Sequence, residues 1–230
     1  MKFPETYPLV VGTVTTQAGL RCLTRATSPA DVMEVRVDAL LTQKTSVKKI
    51  EEALKKRKRP VLLTLRIPAE GGQRSWKVKE RRELFLQLLP YVEAIDVELA
   101  TARAMQLVIE EARRLKKTIV LSAHAIKRPA PRGQISRWVR QFDPKPRTIL
   151  KIAALIKSWR DLQQLAALLV DHADLSLAVM GLGTHAAQSR SVLTALGSCL
   201  VYGYLDQPAA PGQPSAVEVR KMVAVLRLIG

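Results

Sequence analysis

The stretch VKKIEEALKKRKRPVLLTLR, residues 47–66, decides the fold. Its first part reads as a helix, Val47–Arg57, and cations crowd its closing turn, where they complement the negative end of the helix dipole. Pro60 then opens a strand where the helix has stopped. Val61–Leu65 is a continuous apolar run, the pattern of a parallel strand covered on both faces. A helix delivering such a strand is half of a βαβ unit, so the rest of the chain is read for more of them.

They recur along its whole length. Strands are expected at Leu9–Val14, Met33–Leu40, Val61–Arg66 and Ile95–Leu99, then at Thr118–His124, Ile149–Ile156, Leu175–Met180 and Leu200–Leu205. The clearest helices between them are Val47–Arg57, Val78–Val92, Thr101–Lys117, Trp159–Ala173 and Ala216–Leu228, with Ser158 and Ser215 as N-caps. Within Thr101–Lys117, Met105, Val108, Ile109 and Ala112 fall on one helix face. Eight strand–helix units in 230 residues is the count for a closed, parallel (β/α)8 TIM barrel, one α/β domain spanning residues 1–230. An open doubly wound sheet is the runner-up, weakened by the lack of a Gly-rich dinucleotide fingerprint after the first strand.

Composition narrows the function. The chain is 47% hydrophobic and 25% charged, which argues against disorder. Cys22 and Cys199 stand far apart without a metal or disulfide pattern and read as small apolar residues in a reducing compartment. The first residues lack the features of a secretory signal, no apolar run is long enough to span a bilayer, and a cytoplasmic protein is expected. The net charge of +17 raises the question of nucleic acid. Its basic runs, Lys55–Arg59, Lys77–Arg82, Arg113–Lys117 and Lys127–Arg132, are scattered over different elements, and aromatics make up only 4% of residues. We read them as solvated helix ends rather than a nucleic-acid surface. No metal-ligand spacing is present in the sequence, so no metal is expected.

In this architecture chemistry gathers where strands end in loops at their C-terminal side. Polar residues inside or at the ends of apolar strands are therefore the informative ones. Lys151 sits in TILKIAALI (148–156), the most apolar setting of any lysine here. Such a lysine must be paired or give up its proton, and a free amine attacks carbonyls; the alternative is a lysine that snorkels to solvent. His124 ends the strand TIVLSAH (118–124) and is a candidate general acid/base, with a satisfied structural histidine as the alternative. Glu34 and Arg36 share one face of their strand, as a functional pair or a structural ion pair. Arg66 ends its strand, and Glu70 follows on the loop IPAEGG. Arg190 and Gln213 lie after the seventh and eighth strands. Arginines converging on one mouth suggest a carboxylate-bearing substrate.

The chain resembles the type I 3-dehydroquinate dehydratase family, the imine-forming enzymes of the shikimate pathway. The resemblance rests on EVRVD (34–38), TLRIPAEGG (64–72), AIDVEL (94–99), SAH (122–124), LKIA (150–153), SR (189–190) and PGQ (211–213). Any one of these motifs is weak; their order over eight expected strands is specific. The resemblance implies that Lys151 forms an imine with the ketone of 3-dehydroquinate. His124 would remove the C2 proton and protonate the departing C1 hydroxyl, with Glu70 orienting it. Arg190 would hold the substrate carboxylate, while Glu34, Arg36, Arg66 and Gln213 bind hydroxyls and order a lid. It also implies no cofactor and a homodimer. Three departures stand out: Ala125 and Ile126 follow His124 where the family usually has Asp-Phe, Ala209 replaces a common lid serine, and the segment between Met180 and Arg190 is longer than usual. Two other readings remain: an imine-forming aldolase, which lacks an evident phosphate loop, and a non-catalytic basic scaffold for polyanions.

Overall fold

The computed structural model describes every residue except Thr6, Ala210, Pro211 and Gly230. Pro211 of the PGQ motif thus lies outside the described residues. Eight strands form one parallel sheet: β1 (Leu9–Val14), β2 (Val32–Arg36), β3 (Val61–Thr64), β4 (Ala94–Glu98), β5 (Thr118–Ala125), β6 (Thr148–Leu155), β7 (Leu177–Leu182) and β8 (Leu200–Tyr204). Each of β1 to β6 ladders with the next strand in sequence, and β1 ladders with β8. The remaining seam, β7 to β8, is drawn together by Cys199 N donating to Leu177 O at 2.8 Å and Val179 N donating to the Ser198 hydroxyl at 2.9 Å. The result is a TIM barrel.

Among the described residues eight helices surround it: α1 (Val37–Thr42), α2 (Val47–Lys55), α3 (Val78–Leu88), α4 (Gln106–Arg114), α5 (Arg132–Gln141), α6 (Trp159–Asp171), α7 (Ala186–Ala195) and α8 (Ala216–Ile229). They do not alternate one for one with the strands. Only a 3-10 turn (Gly19–Thr24) follows β1, and both α1 and α2 follow β2. The expected second strand, Met33–Leu40, therefore stops at Arg36. Asp38 is the cause: its carboxylate is fully buried and accepts from the Arg66 and Gln73 amides at 3.3 and 3.1 Å, which turns the chain at that point. Ser158 closes a reciprocal capping box with Asp161. Ser215 does the same with Glu218, its hydroxyl accepting from the Glu218 amide at 3.2 Å.

The barrel interior is built in layers two residues apart, as strand alternation requires. Its floor is apolar: Val11, Val32, Leu62, Ala94, Val120, Ile149, Ala178 and Leu200, one residue from each strand. Two residues further along each strand comes a layer of mostly polar side chains: Thr13, Glu34, Thr64, Asp96, Ser122, Lys151, Met180 and Tyr202. Outward-facing residues such as Leu63, Ile95, Leu121 and Ile152 join the larger core beneath the helices. The apolar floor closes one end of the barrel, and the polar layer opens toward the other.

Candidate active site

One cavity of about 100 Å3 at the C-terminal end of the strands is lined by Lys151, His124, Glu70, Glu34, Arg36, Arg66, Arg190 and Gln213. The structure thus brings together every residue singled out from the sequence. Thr13, Met180, Leu182, Tyr202 and Ala209 also form part of the wall. The volume fits a small polar molecule and falls short of the ~300 Å3 and more usual for drug-sized ligands.

Lys151 is 3% exposed. Of the two states open to a buried lysine, the structure shows the paired one: Nζ donates to Asp96 Oδ2 at 3.0 Å, lies 3.5 Å from Glu34 Oε1, and sits 4.1 Å above the centre of the Tyr202 ring. The Glu34–Arg36 ion pair weighed from the sequence is absent among the described residues. Glu34 serves Lys151 and accepts from the Thr64 hydroxyl at 3.0 Å, whereas Arg36 pairs with Asp38 at 2.8 Å.

His124 lies on β5, next to β6, where Ser122 is the register partner of Lys151. Its Nδ1 meets Glu70 Oε2 at 2.7 Å, which leaves Nε2 as the ring nitrogen free for chemistry. Glu70 ends a 3-10 turn (Pro68–Glu70) held by two glycines. Gly71 takes φ 88°, and a Cβ on Gly72 would stand 2.1 Å from the Arg66 carbonyl oxygen. Burial pushes the Glu70 carboxyl up to about 8, with Glu98 and Asp96 reinforcing it against Arg66. Burial also holds the His124 imidazole well below its ordinary value, and Arg66 and Lys151 add to that. The pair titrates as a unit. With its second proton it is a neutral carboxyl facing a neutral ring that carries hydrogen on Nε2. Without it, Nδ1–H donates to the Glu70 carboxylate and Nε2 becomes a base.

The arginines divide sharply. Arg66 gives Nη2 to Asp96 at 2.7 Å and Nη1 to the Ser122 hydroxyl at 2.6 Å and Glu98 at 3.2 Å. Burial opposes its charge, and Asp96 and Glu98 more than restore it. Arg190, on α7 and 4% exposed, has only backbone acceptors, Tyr202 O at 3.0 Å and Ala186 O at 2.7 Å. It has no carboxylate partner among the described residues, and burial pushes its pKa down to about 10. Gln213 bridges the mouth, accepting from the Ala209 amide at 2.7 Å and reaching the Thr13 hydroxyl at 3.4 Å.

Sequence reasoning left three parts of this site without a role: Asp96, Glu98 and Ser122. Asp96 and Glu98 alternate along a buried strand just as Glu34 and Arg36 do, so the same signal marks them. Glu98 also pairs with Arg81, which reaches in from α3. The long segment before Arg190 proves to be structure rather than loop: Gly181 and Leu182 extend β7, α7 begins at Ala186, and only residues 183–185 connect them. His185, the last residue of that connection, is half-buried with its ring 4.6 Å from that of Trp159. Cys22 and Cys199 are both buried and free, and burial pushes the Cys199 thiol up to about 12, which makes it inert. No helix among the described residues is long and apolar enough to cross a membrane.

Comparison with known proteins points the same way. Residues 8–229 match the family model described as type I 3-dehydroquinase. A 3-dehydroquinate dehydratase of Methanosarcina acetivorans is 31% identical over 209 residues, 86% of each chain. That of Thermodesulfovibrio yellowstonii is 27% identical over 204 residues, 87% of this chain and 86% of its own. The crystal structure of 3-dehydroquinate dehydratase from Geobacillus kaustophilus superposes with a TM-score of 0.86 at 22% identity, covering 97% of this chain and 92% of that one. The Aquifex aeolicus enzyme gives 0.77 at 25% identity, with 93% and 96% covered. Motif order, barrel and full-length similarity converge: the chain belongs to the type I 3-dehydroquinase family.

Proposed function

We propose that this protein dehydrates 3-dehydroquinate to 3-dehydroshikimate, a step toward chorismate and the aromatic amino acids, through an imine on Lys151. One observation carries the reading: a buried lysine and a histidine with a free Nε2 share a small cavity with an arginine that has no carboxylate of its own. Arg190 takes the substrate carboxylate, which sets the ring between Lys151 and His124. Lys151 Nζ condenses with the ketone, and water leaves. The protonated imine is an electron sink that acidifies the adjacent carbon, so His124 Nε2 takes the C2 proton. Returning the proton to the C1 hydroxyl expels it as water, and hydrolysis of the imine frees the product. Glu70 sets the proton position on His124. Glu34, Arg36 and Gln213 face the substrate hydroxyls. Arg66, which lines the same cavity, gives three of its five N–H donors to Asp96, Glu98 and Ser122 and offers those that remain to the substrate hydroxyls. The same reading makes the protein a single-domain, cytoplasmic homodimer.

The test is borohydride reduction in the presence of 3-dehydroquinate, read by intact mass and peptide mapping. A substrate-dependent adduct on Lys151 is expected. Lys151→Ala should abolish both the adduct and turnover, a loss of at least ~10³-fold. A folded, active wild-type protein that forms no adduct would remove the imine from the mechanism.

A further inference from the structure

We infer that Asp96 is a further catalytic residue, the fixed counter-ion that holds Lys151 as an ammonium before condensation and the imine nitrogen as a cation after it. This rests on the imine reading above. Asp96 lies on β4 in the polar layer, is fully buried, and its Oδ2 stands 3.0 Å from Nζ, the reacting atom.

The chemistry of condensation makes one carboxylate sufficient for both states. An ammonium and a ketone combine to give a protonated imine and one water, so the C=N bond forms, the carbonyl C=O bond breaks, and the nitrogen's positive charge is conserved. Attack needs the neutral amine, so the ammonium first gives up a proton. Two of its protons leave with the ketone oxygen as water, and a partner that satisfies the first cation then satisfies the second without moving. The Tyr202 ring, 4.1 Å below Nζ, acts on the same charge in both states.

Asp96 is built to stay charged. Oδ1 accepts from the Ser122 hydroxyl at 2.6 Å, and Oδ2 accepts from Arg66 Nη2 at 2.7 Å as well as from Lys151. Burial alone would raise its pKa, but Arg66 and Lys151 reverse that and hold the carboxyl far below the usual carboxylate range. Sharing Oδ2 with Arg66 also tempers the attraction. The nitrogen keeps its charge, yet it is not held so tightly that electrons from the C2–H bond cannot flow into it. The titratable groups facing Asp96 are Lys151 on β6, His124 on β5, Tyr202 on β8, Arg66 just past β3, Glu98 on β4 itself and Glu34 on β2. Of the two carboxylates near Nζ, Glu34 is the more distant at 3.5 Å and the less anchored, since among the described residues its Oε1 accepts a hydrogen bond only from the Thr64 hydroxyl.

Cyanoborohydride reduces a protonated imine and spares the neutral form, so the trapped fraction followed against pH reads the charge on the imine nitrogen. Asp96→Asn should move the alkaline fall-off of trapping on Lys151 to lower pH by about one unit or more. Glu34→Gln should move it less. Where Asp96→Asn does not fold, Asp96→Glu keeps a carboxylate for Arg66 but alters its position relative to Nζ, and a smaller downward shift is expected. An unshifted fall-off in a folded Asp96 variant, or a larger shift from Glu34→Gln, overturns the assignment while leaving the imine in place. Absence of any wild-type adduct removes both.

Discussion

The two ends of the barrel treat an arginine differently. At the N-terminal end, Arg57 is locked to Glu93, which accepts from Nη2 at 2.5 Å and Nε at 3.2 Å and also from the Val61 amide at 2.9 Å. Lys117 Nζ caps the Val92 carbonyl beside it at 2.6 Å. Here each charge meets an opposite charge or a dipole, and the apolar floor seals what lies above. At the C-terminal end, Arg190 has only carbonyl partners, Glu70 and His124 are both driven toward their neutral forms, and the Tyr202 hydroxyl finds no hydrogen-bond partner among the described residues. At the C-terminal end Arg36, Arg66 and Lys151 are paired as well, so Arg190 is the exception. A buried cation with no carboxylate among the described residues marks the place prepared for a ligand that brings the missing charge.

That contrast can be broken by experiment. The largest effect is expected at Arg190: Arg190→Leu should lower kcat/KM about a hundredfold, the loss of one charged hydrogen-bonded partner of roughly 3 kcal/mol. Its urea midpoint should stay level or rise. A fall in midpoint with unchanged kcat/KM would make Arg190 structural. Glu93→Gln should do the reverse, costing about 2–3 kcal/mol in urea unfolding, because Arg57 loses its counter-charge and shares the one remaining acceptor oxygen with the Val61 amide, while kcat of the folded protein holds. Next comes the pH profile. Since Nε2 is a base only once the Glu70–His124 pair has lost its second proton, kcat/KM should rise with pH through a value near 8. Glu70→Gln should flatten that limb, and a limb unchanged by the substitution would separate it from the pair. The smallest effect is at Tyr202: Tyr202→Phe keeps the ring under Lys151, removes the orphaned hydroxyl and should stabilise the fold by about 1 kcal/mol in thermal melts.

Much of this was legible in the sequence because buried strands make polar residues conspicuous. Lys151 and His124 interrupt runs that are otherwise apolar, and β1, β5 and β6 fall where periodicity places them. Partners were not legible. Three arginines at one mouth suggested a shared anion, yet Asp38 occupies Arg36, and Asp96 with Glu98 occupies Arg66, which leaves Arg190 alone for it. The Arg66 pairings join residues 30 or more positions apart, a distance over which periodicity says nothing, and Arg36 meets Asp38 only because the chain leaves its strand there. Helices α5 and α7 also escaped. α5 buries only Ile135, and α7 buries Ser189, Arg190 and Thr194 beside its few apolar residues, so neither carries a clean apolar stripe. Asp38 shows the opposite error, where strand-like composition continued past the point at which a buried carboxylate turns the chain.

The layered interior constrains how such a chain can change over generations. A single-residue insertion early in β6 would rotate Lys151 out toward the helices and bring an aliphatic neighbour into the pocket, so chemistry would vanish while hydrophobicity hardly altered. A change in the residue 183–185 connection meets no such parity rule. Variation in length is therefore cheap in the turns and forbidden in the staves, and inheritance can remodel the rim of this vessel while the arithmetic of its wall stays even.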